Sequence, residues 1–124
     1  MDVQQQLFTT MLTALRERGL KVYDGPLPSL DTPYPFVYMD EMDGTYELYK
    51  GALFADVTLT FHVWHNDPQQ RGTVSELMKE IKETCLSYGN VTGMNQQMLA
   101  DDTTGRTLVH GIVSVTWQAP ERMD

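Results

Sequence analysis

The sequence predicts an α+β fold: a small, mainly antiparallel sheet with two helices packed on it, in a single domain. Three observations carry that class. Residues 55 to 67 alternate with period two, with Val57, Leu59, Phe61 and Val63 on one face and Thr58, Thr60, His62 and Trp64 on the other. That is the pattern of a strand with one face in a core. Two further segments, near 3 to 18 and 68 to 88, place apolar residues at three- and four-residue steps, the period of a helix with one buried stripe. The order helix, strands, helix, strands contains no internal repeat, low-complexity tract or linker, so one layered domain over residues 1–124 follows.

The first helix rests on Val3, Leu7, Phe8, Met11, Leu12 and Leu15, with Gly19 as its stop. Leu20-Lys21-Val22-Tyr23 reads as a short strand, and Asp24-Gly25-Pro26-Leu27-Pro28 as a turn-rich connection. Pro33 and Pro35 hold the chain extended before a second strand, Phe36-Val37-Tyr38-Met39-Asp40. Residues 40 to 52 have poor apolar spacing, interrupted by Gly44 and Gly51, and read as a long loop or mobile hairpin that orders on assembly. After the 55–67 strand, Asn66 or Asp67 is expected to cap the second helix, with Pro68 at its first position. Its stripe is Val74, Leu77, Met78, Ile81, Cys85 and Tyr88, while Glu76, Lys79, Glu80, Lys82 and Glu83 form a solvated face. Residues 94 to 100 and 107 to 118 read as two strands joined by the turn Asp101-Asp102-Thr103-Thr104-Gly105. In the last of them Val109, Val113, Val115 and Trp117 share a face.

A chain of 124 residues can bury one core unaided, and no apolar run approaches the roughly 20 residues of a membrane-spanning helix. Residues 1 to 6 lack the basic and apolar stretches of a secretory signal, which points to the cytoplasm of the producing cell. Seventeen acidic against nine basic residues give a formal charge of -8, which opposes a dedicated role in gripping a phosphate backbone. The one cysteine, Cys85, sits in the helical stripe and reads as a small buried hydrophobe.

Enzyme chemistry finds no foothold. His62 and His65 are three apart in a strand and point to opposite faces, and His110 needs a particular strand pairing to reach either, so no metal ligand set is predicted. The acidic pairs lie in turn-like segments, Ser75, Ser87 and Ser114 lack a nucleophile elbow, and neither glycine-rich nucleotide motif is present. No catalytic residue and no cofactor is expected.

The combination Thr32-Pro33-Tyr34-Pro35-Phe36-Val37-Tyr38, then Asp56-Val57-Thr58-Leu59-Thr60-Phe61-His62-Val63-Trp64, then a helix from Pro68 to Leu86, resembles small tail-completion proteins of long-tailed, non-contractile bacteriophages. That group includes tail-terminator and tail-to-head joining proteins, and the pattern runs from about Leu7 to Gln118. The resemblance implies a virion structural protein that is not an enzyme. It implies a ring, commonly a hexamer, at the head-proximal end of the tail, ending the tube or joining tail to head. The implied partners are further copies of itself, the major tail protein and head connector proteins, with no membrane and no specific nucleic acid, although DNA passes through the ring. The implied place is the virion, after synthesis in the host cytoplasm.

On this reading Tyr46, Glu47, Leu48 and Tyr49 are the candidate interface, since tyrosines are enriched at interfaces. Asp40, Glu41 and Asp43 in the long loop, with Asp101 and Asp102 in the hairpin turn, are candidates to face a channel, where negative charge repels phosphate. The alternative is a small intracellular adaptor domain whose exposed sheet face or edge takes a protein partner.

Overall fold

The computed structural model describes residues 2–26, 28–29, 31–102 and 105–121. Its elements are α1 (Val3–Glu17), β1 (Val22–Asp24), β2 (Phe36–Tyr49), β3 (Ala52–His65), α2 (Arg71–Leu86), β4 (Val91–Asp101) and β5 (Leu108–Glu121). The five strands form one sheet in the order β1-β2-β3-β5-β4. Among the described strands only the β1·β2 pair is parallel.

Helix α1 begins where the Asp2 carboxylate accepts the Gln5 amide at 2.9 Å, satisfying one of the unpaired first-turn donors. It ends in a Schellman motif: the Leu20 amide donates to the Leu15 carbonyl at 3.2 Å and the Gly19 amide to Arg16 at 3.0 Å. Gly19, at φ +87°, supplies the left-handed residue this motif requires. The Glu121 carboxylate, from the far end of β5, accepts the Val3 amide at 3.1 Å and so sits at the positive end of α1.

Both helices cover the same face of the sheet. Met11 and Leu15 of α1, with Val74, Met78, Ile81 and Cys85 of α2, share one core with Val57, Leu59, Phe61 and Val63 of β3 and with Val109, Val113, Val115 and Trp117 of β5. Those β3 and β5 faces are the ones their alternation predicts, and Leu77 packs on the margin of the core. Helix α2 lies chiefly over β5. Gly111 makes that seat possible, because a Cβ there would stand 2.6 Å from Met78 Sδ and 2.9 Å from Val74 Cγ1. The Trp117 indole donates to the Tyr88 carbonyl at 2.8 Å, so the largest core side chain leaves no polar atom unpaired.

Two expectations need correction. Of the two readings of residues 40 to 52, the hairpin holds and the loop does not: residues 40–49 are strand, paired with β3 from Glu41↔Thr60 to Tyr49↔Ala52. Lys50 (φ 49°) and Gly51 (φ 80°) form the two-residue turn between them, both left-handed as a type I′ hairpin turn demands. The apolar spacing is poor because Met42 alone packs on the margin of the core and both faces beyond it are exposed. The second correction concerns α2, which starts at Arg71 with Gln70 at its cap position, not at Pro68. Asp67 instead builds a turn ahead of the helix, its carboxylate accepting the Gln69 amide at 2.9 Å and its carbonyl the Gln70 amide at 3.0 Å.

Candidate functional site

The distal half of the β2·β3 hairpin carries the candidate interface residues. A register shift between Met39 and Glu41 marks the point where β2 leaves β1, which pairs only with Val37, Tyr38 and Met39. Beyond it, register places Gly44 opposite buried Val57, so even-numbered positions from Met42 to Leu48 lie on the helix side and odd-numbered ones on the other. Tyr46 and Leu48 are thus on one face, and Glu47 and Tyr49 on the opposite one. The Tyr46 hydroxyl accepts from Gln4 Nε2 at 3.1 Å, while Leu48 and Tyr49 are 69% and 63% exposed. Glu47, Leu48 and Tyr49, with Phe54 and Gln118, border an open cavity of about 290 Å³ near the hairpin tip.

The helix-free face of the sheet carries central rows of hydroxyls and several carboxylates, with Phe54, Trp64, Leu99 and Ile112 among them. Thr58 and Thr116 Oγ1 atoms lie 2.8 Å apart across β3 and β5, with Thr60 and Ser114 at 3.4 Å in the next row. Glu41, Asp43, Glu47, Asp56 and Asp101 share this face by register, and no lysine or arginine among the described strand residues does.

At the end of the sheet nearest β1, that face holds a linked histidine pair. His62 Nε2 lies 3.0 Å from Asp40 Oδ1, and His62 Nδ1 lies 2.7 Å from His110 Nε2. The His110 ring stacks on Trp64 with centroids 3.7 Å apart and planes 11° off parallel. If His62 Nε2 donates to Asp40 with Nδ1 unprotonated, that Nδ1 accepts the His110 Nε2 proton, so both His62 nitrogens and His110 Nε2 have a partner. Burial, then the neighbouring His62, pushes the His110 pKa down to about 4, partly opposed by Asp101 and Asp40. Among the described residues no group of His, Cys, Asp and Glu is arranged to hold a metal ion. Cys85 is buried in the core, and desolvation pushes its thiol up to about 12, far from the thiolate that reactive cysteines need.

The candidate acidic residues separate into distinct settings, and Asp40, Glu41 and Asp43 belong to a strand rather than a loop. Asp40 binds His62, while Glu41 and Asp43 stand opposite Thr60 and Thr58. Asp101 closes β4 near His110, joining Asp40 around the histidine pair although the two are far apart in sequence. Asp102 accepts from Thr107 Oγ1 at 2.7 Å, and the turn residues Thr103 and Thr104 lie outside the described residues. Sequence reading missed the Asp40–His62–His110 relay, because it depends on the β3·β5 register that sets Trp64 opposite His110. The available signal was that His62 and His110 both take the outward parity of their strands.

The chain matches no protein-family model and no curated protein sequence. Its fold is similar to that of a chain in the virion of a native gene transfer agent (GTA) particle, with a TM-score of 0.62 and 16% sequence identity over 98% of this chain and 96% of the other. The two chains share a fold over nearly their whole lengths.

Proposed function

We propose that this chain is a phage-like virion structural protein that assembles as a ring, a hexamer in the particle, at the head-proximal end of a tail. There it ends the tail tube or joins the tail to the head, contacting the major tail protein and head connector proteins. The observation that carries this reading is the near full-length correspondence of its fold with a chain of a gene transfer agent virion. The helix-free sheet face supports it. This face carries Glu41, Asp43, Glu47, Asp56 and Asp101 and, among the described strand residues, no lysine or arginine, so it offers passing DNA no lysine or arginine contact for its phosphates. The protein acts through assembly rather than turnover, with the tyrosines of the hairpin as contact points.

The test is removal of the gene from the genome that produces the particle, followed by electron microscopy and complementation. Tails of uncontrolled length, or finished tails detached from heads, are expected. Normal joined tails, or absence of the protein from purified particles, would sink the reading. The uncovered edge of β4 also suits an adaptor that takes an extended peptide as an added strand. That reading requires a protein absent from particles that stays monomeric and binds such a peptide in solution.

A further inference from the structure

We infer that copies of this chain join edge to edge and head to tail, the free edge of β4 in one copy pairing with the free edge of residues 40–49 of β2 in the next. This rests on the ring reading proposed above and names its contact.

The sheet has two long unguarded edges. On one side β4, eleven residues long, pairs with β5 and, among the described residues, has no strand on its other side. Natural edges are usually blunted by lysine, proline or a covering element, whereas β4 carries no lysine, arginine or proline, and its one charged residue is Asp101 at the very end. On the other side β1 covers only three residues of β2. The β1 edge itself is guarded, because Arg16 donates to the outward Val22 carbonyl at 3.1 and 2.8 Å from Nε and Nη2. Residues 40 to 49 have no such cover, so a ten-residue free edge stands opposite an eleven-residue one.

The exposed apolar side chains gather at these same edges. Tyr46, Leu48 and Tyr49 lie on the β2 edge, Met94 and Leu99 on β4, and Leu86 and Tyr88 where α2 leads into β4. Between α2 and β4 runs a groove of about 280 Å³ bordered by Lys82, Met94, Asn95 and Gln96. Lys82 Nζ donates to Gln96 Oε1 within it. Met94 and Gln96 lie on the helix side of the sheet by register, the side on which Tyr46 and Leu48 project from β2. Continuing the sheet from one copy to the next therefore brings those two side chains to this groove.

Charge selects the pairing. Two β2 edges facing each other would oppose Asp40, Glu41, Asp43 and Glu47 with the same four carboxylates, which is repulsive. The β4 edge is rich in amides and lies beside Lys82, so it accepts the acidic edge. β2 and β4 run in opposite directions in the subunit, because each step from β2 through β3 and β5 to β4 is antiparallel. A rotation that carries one sheet into the next preserves that relation, so the new pair is antiparallel. Two different patches joined in this way give a heterologous contact, the kind that forms a ring when the rotation between copies closes.

The test uses the full chain with cysteines at exposed positions on the free edges and a short thiol cross-linker that tolerates a two-residue slip. Thr45→Cys and Gln97→Cys fall on the same face of the continued sheet, whereas Thr45→Cys and Gln96→Cys fall on opposite faces. Cross-linking is carried out on concentrated protein and on assembled particles. The Thr45→Cys/Gln97→Cys double variant is expected to give a ladder above the dimer. A mixture of the two single variants should stop at dimers, and the opposite-face pair should give neither. A cross-linked dimer from Gln97→Cys alone would show β4 pairing with itself and would overturn the inference. Particles that contain the double variant yet show no ladder would also overturn it while leaving the tail role intact. A ladder in solution from a protein absent from particles would uphold the contact and remove the tail role.

Discussion

His62 and His110 meet across β3 and β5 with 2.7 Å between Nδ1 and Nε2, a hydrogen bond in which one ring nitrogen donates and the other accepts. Protonating both rings would set two positive charges against each other at hydrogen-bond distance. His110 also lies under Trp64, where desolvation opposes its charged form.

This arrangement makes stability depend on acid. His110 binds its proton at about 4 in the fold against 6.5 as its ordinary value. Between those values the unfolded chain takes a proton that the folded chain refuses, so unfolding free energy rises with pH through the window and is flat above it with respect to this group. Melting temperature should therefore fall as pH drops from neutral toward 4. His110→Gln should flatten that part of the profile, and an identical slope in wild type and variant would show that other groups control it.

Phe61 of β3 is fully buried in the core between the sheet and the helices, so Phe61→Ala should cost about 3–5 kcal/mol. A loss of that size takes much of the roughly 5–15 kcal/mol typical of a domain, and it should appear as a large drop in the melting midpoint. An unchanged midpoint would contradict the packing.

Gly111→Ala tests the seat of α2. Met78 can swing its thioether away from the new methyl group, but β-branched Val74 has little rotamer freedom in a helix. Overpacking of about 1–3 kcal/mol is expected by denaturant titration, with the fold retained.

Tyr46→Ala and Tyr49→Ala should each change stability by only about 0.5 kcal/mol, as for most exposed positions, and the double variant should still melt cooperatively. Both should weaken ring formation by sedimentation, because truncated aromatic anchors usually cost an interface more than rim charges do. Since the two rings project from opposite faces of β2, the single variants report on the two faces separately. Normal assembly of the double variant would remove the hairpin from the interface.

Replacing Asp101 and Asp102 by lysine should spare assembly and raise retention of duplex DNA, most clearly at low salt. Unchanged retention in particles would take the β4–β5 turn out of the DNA path.

The buried parts of this fold were legible because burial imposes a period. Val57 to Val63 alternate because one face meets two helices, and Val74 to Cys85 recur at helical steps because one stripe meets β5. The distal half of β2 could be read only as loop or hairpin, because beyond Met42 neither of its faces is buried and its type I′ turn uses Lys50 where asparagine or aspartate is the usual cue. The α2 start was displaced because Asp67 and Pro68 signal a turn as readily as a cap. The histidine relay lay beyond reading by segment, since Asp40, His62 and His110 come from three strands and meet only through register.

The placement of β5 governs how the chain can reach this fold. It is the last described strand yet stands inside the sheet, between β3 and β4, and its residues complete both the core and the start of α1. Until it arrives, the apolar face of β3 lacks its main neighbour, and β4 has nothing to pair with. Folding should therefore be cooperative and delayed by long-range contacts rather than built up stepwise from the N-terminus. A deletion running back from Trp117 would remove a central rib, leaving collapsed, aggregation-prone chains instead of a shortened domain.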